Sequence, residues 1–499
     1  MKLLVLGLDG ATFRIIKPLV RKNKLPTFKK LFENGCHGIL QSTIPPLTVP
    51  AWPSMITGKT PKKLNLFGFF KTLKKSKIAS FEDLKNTIFD LLSKKIKIGA
   101  LNVPCTYPPR KVNGFIVSGM LTPSSKINKC SYPPKLILKL KKKFEYEIHA
   151  DWGEAFTKEH QLKSAYEILE RRIRAIFWLT KKFKIDFLFV VLRITDIIQH
   201  QFFTDKAEIE RVYKKIDSII KELVEKINPD NIFIVSDHGF YEVKMLFNIY
   251  KWLEENGFIK TKITLKHKFY KFINKTLPLF PQLRRKILEK TPLSLKRKLR
   301  PQELTIDFES AICYPSPTGK LFGSIYTDSL PKTKKDHVIK LLCKKLLKIK
   351  TPYNQRLIKR IIRFENHNSS VPNIIFEVKK PYCITIHSKE LWEKTSTGEH
   401  DLERIFIAYG KDIVSNQKIR NAKIYDIAPT VLHMFGLPIP KDMDGKVLKE
   451  IFKPNSEIAK RKVRYVDPSY YRVVKRRKVR TSKKDEELIK ERLRALGYI

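Results

Sequence analysis

Short apolar runs alternate with longer stretches of mixed polarity along most of this chain of 499 residues. Seven runs are apolar at nearly every position, as strands are when both faces of a sheet are covered. Residues 160–182 and 207–227 instead repeat apolar positions at the helical period. This alternation predicts an α/β fold with a doubly wound, mainly parallel sheet flanked by helices. The seven runs are LLVLGLD, HGILQST, KIGALNV, GFIVSG, DFLFVVLRITD, NIFIVSD and RIFIAYG.

The alternation stops near residue 260. Residues 260–300 are crowded with Lys and Arg and contain one acidic residue, Glu289. Strand-like patterns resume at GSIYTD, and the mixed pattern of residues 335–380 predicts a smaller inserted lobe. The predicted organisation is the first part of a core at 1–259, a basic insertion and smaller lobe at 260–390, the last part of the core at 391–450, and a charged tail at 451–499 that ends in a helix.

The net charge is extreme for an enzyme: 100 Lys and Arg stand against 49 Asp and Glu, which gives +51. Such a charge favours nucleic acid, anionic membrane surfaces or phosphorylated substrates as partners. Because Lys is spread over nearly every segment, a lysine-rich composition without a binding role explains the charge equally well. The 260–300 segment is open to the same two interpretations, as a surface that docks on phosphates or membrane head groups or as a solvated helical hairpin.

Cysteine usage and hydropathy indicate a cytoplasmic protein. The six cysteines form no CxxC pair, and a disulfide framework is not expected in a chain of this length. The apolar run at the N-terminus is too short for a typical signal peptide. No stretch reaches the roughly 18 apolar residues that a membrane span needs.

Acidic residues and histidines follow several of the predicted strands. In open α/β sheets such positions meet at the carboxyl edge, where sites form. Each has a structural alternative: an Asp after a strand is usually a helix cap, SDHG forms a tight turn, and DIIQH forms a surface pair. Carboxylate and imidazole are ligands of Zn²⁺ and similar ions, and six of them suit two ions roughly 4 Å apart. The residues are Asp9, Asp196, His200, Asp237, His238 and, in a polar loop before RIFIAYG, His400.

Thr48 stands between prolines in the stretch IPPLTVPAWPSMITGKTP, at or beside a predicted helix N-terminus. The free N–H groups and the dipole of a helix N-terminus attract anions. On this stretch alone, an N-cap threonine that closes its own helix is the simpler interpretation.

The order of these residues resembles the alkaline phosphatase superfamily, and within it the type I phosphodiesterase/nucleotide pyrophosphatase branch with its prokaryotic phosphohydrolase/phosphomutase relatives. The resemblance covers about Met1 to Lys449. The phrases that support it are GLDGAT, PPLTVPAWPSMITGKTP, LNVPCTYPP, TDIIQH, SDHGF, LFNIYKWLEENGF, IYDIAPTVLHMFGLPIP and DMDGKVL.

The resemblance implies an alkaline phosphatase-like catalytic core and two divalent metal ions, Zn²⁺ first and Mn²⁺ or Fe as alternatives. It also implies that Thr48 is the nucleophile and is transiently phosphorylated. One metal would be held by Asp9, Thr48, Asp237 and His238, and the other by Asp196, His200 and His400.

The chain departs from the family pattern near the nucleophile. Nucleotide pyrophosphatases have Thr-x-Pro-Asn, whereas this chain has Ala51 in the fourth position, and Asn102 is the candidate substitute for substrate binding. Sulfatases need Cys or Ser with a nearby Arg, where this chain has Thr48 and Trp52. The resemblance therefore favours phosphate esters over sulfate esters and leaves monoesters and diesters open.

We therefore predict a metal-dependent phosphate ester hydrolase, a phosphodiesterase or phosphomonoesterase. The alternatives are a phosphotransferase or phosphomutase of the same superfamily, and a basic protein that binds nucleic acid or anionic membranes and has kept only the fold. The physiological substrate and the oligomeric state do not follow from the sequence.

Overall fold

A computed structural model describes residues 1–72, 77–149, 156–262, 305–306, 311–316, 320–327, 330–365, 370–386, 388, 390–471 and 482–495. Most of the basic segment, residues 263–300, lies outside the described residues. The predictions for that segment therefore stay predictions.

The described chain forms many short strands. They are β1 (Leu3–Leu8), β2 (Cys36–Gln41), β3 (Phe70–Thr72), β4 (Lys77–Ile78), β5 (Ile98–Leu101), β6 (Gly114–Val117), β7 (Ser131–Tyr132), β8 (Phe187–Leu192), β9 (Asn231–Val235), β10 (Gly239–Asn248), β11 (Thr261–Lys262), β12 (Thr305–Ile306), β13 (Tyr314–Pro315), β14 (Phe322–Tyr326), β15 (Ile358–Arg363), β16 (Ile374–Val378), β17 (Tyr382–Thr385), β18 (Trp392–Asp401), β19 (Glu403–Gly410), β20 (Gln417–Lys423), β21 (Ile439–Pro440) and β22 (Tyr465–Val466).

The α-helices differ widely in length, and the longest has 26 residues. They are α1 (Phe13–Arg21), α2 (Pro26–Asn34), α3 (Thr48–Thr57), α4 (Pro61–Leu64), α5 (Ile88–Leu92), α6 (Leu136–Phe144), α7 (Lys158–Phe183), α8 (Ile194–Phe202), α9 (Lys206–Ile227) and α10 (Ile249–Glu255). The described residues also form the α-helices Lys332–Leu347, Ile427–Met434, Glu457–Lys460 and Lys483–Ala495, which are named by their ranges.

A nine-stranded sheet in the order β20-β2-β19-β9-β1-β8-β5-β6-β7 is the centre of the larger unit. Strand β1 runs parallel to β8 and β9, and β5 runs parallel to β6 and β8. Strand β19 is antiparallel to both of its neighbours, β2 and β9, and β7 is antiparallel to β6. All seven predicted strands belong to this sheet, and the predicted mainly parallel α/β fold is confirmed.

Burial explains why the central strands are continuously apolar. Every residue of β1, β8 and β9 is buried, because helices cover the sheet and leave no solvated face. The two predicted long helices are confirmed as α7 and α9. Side-chain caps begin both of them: Thr157 accepts from the N–H of His160, and Asp205 accepts from the N–H of Glu208.

The chain divides into two compact units. The larger comprises residues 1–244, 320–322 and 395–499, and the smaller comprises 245–319 and 323–394. In the smaller unit, β10 and β17 pair in parallel over Met245–Asn248 and Tyr382–Thr385. A four-stranded sheet has the order β13-β14-β16-β15, with β15 antiparallel to β16. The boundaries at 259, 390 and 450 that the sequence suggests stay a prediction.

The six cysteines are all free, and five of them are buried. None of the helices in the described part of the chain is both long and apolar enough to span a membrane. The predicted terminal helix is confirmed as Lys483–Ala495.

Candidate active site

The acidic residues meet at one edge of the sheet because β1, β8 and β9 run in the same direction. Leu8 at the end of β1 lies beside Leu192 at the end of β8, and Gly7 lies beside Val235 at the end of β9. Asp9 directly follows β1, and Asp237 follows β9 by two residues. This is the carboxyl edge, where ligands bind in open α/β sheets.

Two glycines bring the backbone segments of this edge close together. The N–H of Gly10 donates to Oδ1 of Asp237 at 3.1 Å, and the φ of Gly10 is +72°. A Cβ on Gly239 would lie 1.8 Å from the carbonyl oxygen of Glu403. The glycine of the SDHG motif is therefore required by the close approach of the neighbouring strand, and His238 is held beside it.

Thr48 is the first residue of α3, and the preceding N-cap residue is Leu47. Its side chain is fully buried, and its Oγ1 lies 3.4 Å from Nε2 of His238. The interpretation of Thr48 as an N-cap is therefore wrong, because a cap residue precedes the helix and bonds its N–H groups. At the first helical position, the hydroxyl instead lies where the unpaired N–H groups of the first turn begin.

Asp196 and His200 lie one turn apart on α8, as the spacing in DIIQH predicts. Nε2 of His200 is 3.3 Å from Oδ1 of Asp196, and Nε2 of His400 is 3.5 Å from the same oxygen. The Nε2 atoms of the two histidines are 3.0 Å apart. His400 was expected in a loop, but it lies in strand β18, one residue before the strand ends. It lies three residues before β19, which runs antiparallel to β9 and therefore begins at this edge.

The carboxylates fit a cation. Both oxygens of Asp9 and Oδ2 of Asp237 are buried and accept no hydrogen bond from the described residues. Burial, followed by the negative charges of Asp237 and Asp196, raises the pKa of Asp9 well above its usual range. Buried carboxylate oxygens that accept no hydrogen bond are costly unless a positive charge lies beside them. We therefore infer that these residues are suited to hold metal.

The histidines are in the form that binds metal. Nδ1 of His238 is 3.2 Å from the carbonyl oxygen of Gly239, and Nδ1 of His400 is 3.2 Å from that of Pro46. Since a carbonyl only accepts, each Nδ1 bears the proton, and each Nε2 keeps its lone pair for a ligand bond. Burial is the main cause that lowers the pKa of both histidines to about 3, so both are neutral at neutral pH.

Two overlapping groups of ligand atoms result. Within the described residues, Asp9, Asp237 and His238 form one group, and Asp196, His238 and His400 form the other; the ligand atoms of each group lie within 4.8 Å of one another. His238 belongs to both groups, whereas the resemblance assigned it to one metal. His200 is in neither group but contacts Asp196 and His400, so all six predicted ligands and Thr48 converge on one edge of the sheet.

Sequence reasoning missed two buried arginines at this edge. Arg193, directly after β8, places Nε 3.5 Å from Oδ2 of Asp9 and Nη2 3.6 Å from Oδ2 of Asp196. Arg404 in β19 is fully buried and has no hydrogen-bond partner for its guanidinium among the described residues. Burial lowers the pKa of Arg404, and the charges of Asp237 and Asp401 oppose this effect. A basic residue within or directly after a fully apolar run is the signal that would have identified both.

Asn102, the candidate for substrate binding, follows β5 and adopts a left-handed backbone with φ of +58°. Because β5 is parallel to β8, Asn102 lies at the same edge of the sheet as the metal ligands. Its side chain is buried, and its Oδ1 accepts a hydrogen bond of 2.7 Å from the hydroxyl of Tyr146. The amide nitrogen Nδ2 has no partner among the described residues.

Metal affinity should increase as pH rises. A proton on Asp9 competes with a cation for the same oxygens, and the raised pKa of this carboxyl extends the competition toward neutral pH. We expect the association constant for Zn²⁺ to rise about tenfold per pH unit over the range in which Asp9 is protonated in the metal-free protein, because one proton is displaced. Titration against a chromophoric chelator at several pH values would measure this slope. A flat profile would contradict the assignment of Asp9 as a ligand.

Comparison with known proteins gave one family. The family model of type I phosphodiesterase/nucleotide pyrophosphatase matches residues 3–401, a span that contains Thr48 and all six candidate ligands. The search of curated proteins found no match.

Solved structures share the fold at low sequence identity. Murine ectonucleotide pyrophosphatase/phosphodiesterase 5 is 15% identical, with a TM-score of 0.51 over 88% of this chain and 95% of that chain. An inactive threonine-to-alanine variant of that protein, in complex with AMP, is 14% identical, with a TM-score of 0.52 over the same shares. Phosphonoacetate hydrolase from Sinorhizobium meliloti 1021, with phosphonoformate, is 12% identical, with a TM-score of 0.54 over 86% of this chain and 94% of that chain.

Proposed function

The chain belongs to the type I phosphodiesterase/nucleotide pyrophosphatase family of phosphoester hydrolases, and we propose that it hydrolyses phosphate esters with two divalent metal ions and a phospho-threonine intermediate on Thr48. The observation that carries this proposal is the convergence of the Thr48 hydroxyl, 3.4 Å from His238, with six ligand-type side chains at one edge of the sheet.

The donor set fits a metal such as Zn²⁺, since it consists of carboxylate oxygens and imidazole nitrogens. Asp9, Asp237 and His238 would hold one ion and Asp196, His200 and His400 the other, with Mn²⁺ or Fe as alternatives to Zn²⁺. When bound, the ions would supply Lewis acidity at the phosphoryl oxygens and favour ionisation of the Thr48 hydroxyl.

The first turn of α3 positions the phosphoryl group and the Thr48 hydroxyl in this proposal. As the first residue of α3, Thr48 presents its hydroxyl beside the unpaired N–H groups of the first turn, which can donate to phosphoryl oxygens. The hydroxyl oxygen attacks phosphorus, and the leaving group departs with its electron pair and takes up a proton. Attack of water on the phospho-threonine then releases phosphate or a phosphate monoester and restores Thr48.

The relatives support this proposal without fixing the substrate. The murine variant in which a threonine is replaced by alanine is inactive and is in complex with AMP. We propose that Thr48 corresponds to that threonine and is the nucleophile of this chain. Ala51, where nucleotide pyrophosphatases have Asn, is fully buried in α3 and offers no amide to the substrate. Monoesters and diesters therefore both remain candidate substrates.

The proposal can be tested by measuring the hydrolysis of two chromogenic esters by protein whose metal content has been determined. We expect release of p-nitrophenol from p-nitrophenyl phosphate or bis(p-nitrophenyl) phosphate, loss of that activity with a chelator, and recovery with Zn²⁺ or Mn²⁺. Adding a primary alcohol as acceptor separates the phosphotransferase alternative, because transfer yields a new ester at the expense of free phosphate. Metal-loaded protein that turns over neither ester would contradict the proposal.

We further propose that the basic segment 260–300 binds an anionic membrane surface or a polyanion. The support is its composition, with many Lys and Arg against the single acid Glu289. Replacing residues 263–300 by a short linker should weaken binding to anionic vesicles or RNA and flatten its salt dependence, while small-ester turnover stays largely intact. Loss of turnover in a folded deletion variant would instead assign the segment to the active site. We also propose that the protein is located in the cytoplasm.

A further inference from the structure

Three arginines from distant parts of the chain lie close enough to His149 that their charges, after burial, lower its pKa. Arg172 lies on α7, Arg193 follows β8, and Arg492 lies on the helix Lys483–Ala495. We call these three residues the arginine cluster. Arg172 and Arg193 are buried, and Arg492 is half-buried. Arg193 connects the cluster to the metal site, because its guanidinium is 3.5 Å from Asp9 and 3.6 Å from Asp196.

Hydrogen bonds to the backbone hold the outer two arginines in place. Nη1 of Arg492 donates to the carbonyl oxygen of Thr122 at 3.4 Å, and Nε2 of His149 lies 3.4 Å from the same oxygen. Nη2 of Arg172 donates to the carbonyl oxygens of Glu147 and Ile148. The cluster is therefore positioned by the fold rather than by freely rotating side chains.

Donors in and beside the cluster lack partners. Nε of Arg172 and Nδ2 of Asn102 are buried, and neither has a hydrogen-bond partner among the described residues. Tyr146 lies beside both side chains: its hydroxyl donates to Oδ1 of Asn102. Burial raises the pKa of this hydroxyl, and the nearby charge of Arg172 opposes the effect. Because a buried N–H without an acceptor is costly, these atoms point to an acceptor that a ligand would supply.

The electrostatics also indicate a missing anion. Burial, followed by the charges of Arg492 and Arg193, lowers the pKa of His149 well below its usual range, which keeps this side chain neutral. Burial and the charge of Arg193 lower the pKa of Arg492 to about 10, and that of Arg172 also falls to about 10. Arg172 and Arg492 therefore remain charged at neutral pH. The carboxylates that Arg193 contacts are the ones assigned to metal, so the cluster lies directly beside the proposed metal site.

We propose that the arginine cluster, with Asn102, binds a second phosphate group of the substrate next to the ester that is hydrolysed. The inference rests on the proposed function, since the hydrolysed ester is assigned to the adjoining metal site. A phosphate group matches the cluster better than a carboxylate does, because it carries up to two negative charges and three acceptor oxygens. Substrates would then have two phosphate groups separated by a short spacer.

Binding of phosphonates tests this subsite without turnover. Isothermal titration calorimetry on metal-loaded protein would compare alkanediphosphonates with spacers of two to four carbons against the alkylphosphonates of equal length. In the wild type we expect the best diphosphonate to bind at least about tenfold more tightly than its monophosphonate. Arg492→Gln should reduce this ratio of the two affinities about tenfold. Arg492→Lys should reduce it less, because lysine keeps the positive charge but cannot donate two parallel hydrogen bonds as a guanidinium does.

Arg494→Gln is the matched control, because Arg494 is exposed on the same helix. It should leave the ratio unchanged. An equal ratio in wild type, Arg492→Gln and Arg494→Gln would overturn the proposal and leave Arg492 as an anchor for its helix. If 3-phosphonopropionate binds as tightly as the diphosphonate, the phosphate assignment is wrong and the subsite accepts carboxylates.

The same measurements separate this inference from the proposed function. Metal-loaded protein that hydrolyses no ester but keeps the diphosphonate preference would contradict the hydrolase mechanism and support the subsite. Protein that hydrolyses esters normally but binds diphosphonates no more tightly than monophosphonates would support the hydrolase mechanism and contradict the subsite. Arg172→Gln gives a second test should Arg492→Gln unfold, with thermal unfolding as the check on folding.

Discussion

Thr48→Ala should lower the turnover of phosphate esters by roughly three orders of magnitude or more, because alanine has no hydroxyl that can attack phosphorus and form the covalent intermediate. The Thr48 hydroxyl is buried and lies 3.4 Å from His238. The six Asp and His ligands are unchanged in this variant, so both metals should remain bound. Steady-state kinetics with a p-nitrophenyl ester, together with metal analysis of the same sample, would measure both quantities.

Two comparisons make the Thr48 result specific. Thr48→Ser should keep part of the activity, because a primary hydroxyl in the same place can still attack phosphorus. Thr60→Ala serves as the matched control: Thr60 precedes the next helix and its side chain makes no capping hydrogen bond, so turnover should be normal. A folded, metal-loaded Thr48→Ala protein with near-normal turnover would refute the nucleophile assignment.

The covalent step can also be observed directly. Acid quenching of the enzyme with a labelled phosphate ester should leave label on the peptide that contains Thr48. Thr48→Ser should carry the label on the serine, and Thr48→Ala should carry none. Label that persists in the alanine variant would place the intermediate on another residue.

Removing Asp237 and His238 together should abolish hydrolysis and reduce the metal content from two equivalents to one or fewer. Both residues contribute to one ligand group, and Nε2 of His238 also belongs to the other group, with Asp196 and His400. The loss therefore affects both candidate positions. We expect turnover to fall by about three orders of magnitude or more, because in the proposed mechanism the metals stabilise the negative charge that develops around phosphorus.

The control for this double variant is Asp230→Asn. Asp230 is half-buried, pairs with Lys411, and lies just before β9, at the opposite end of the strand that leads to Asp237. Inductively coupled plasma mass spectrometry should find wild-type metal content in the control and at most one equivalent in the Asp237→Ala/His238→Ala protein. Full metal occupancy in a folded double variant would contradict the ligand assignment.

Much of the fold followed from local pattern. Apolar runs identified all seven predicted strands of the nine-stranded sheet. The runs are continuous in β1, β8 and β9 because strands that are buried on both faces need apolar side chains at every position. The helical period located α7 and α9 in the same way. The site chemistry was visible as well, since polar residues that follow apolar runs stand at strand ends.

The grouping of side chains at the site, in contrast, depends on strand order. His400 lies within β18 rather than in a loop, and its Nε2 comes to 3.0 Å from that of His200, which is 200 residues away. His238 contributes to both ligand groups, which its position after β9 does not indicate. The apolar runs beside Arg193 and Arg404 are a local signal of burial, but the acids Asp9 and Asp237 that lie near them come from other strand ends.

The sequence by itself thus determined the α/β class, the helices and strands of the core, the family and the residue types at the active-site edge, all of which depend on local periodicity and short motifs. Only the tertiary structure decided which of these side chains share a ligand group and which cations lie beside them. The physical reason is that the sheet places β9, β1 and β8 side by side although they are far apart in the chain. Likewise, Arg172, Arg193 and Arg492 meet only after an internal helix, a strand end and the C-terminal helix have packed.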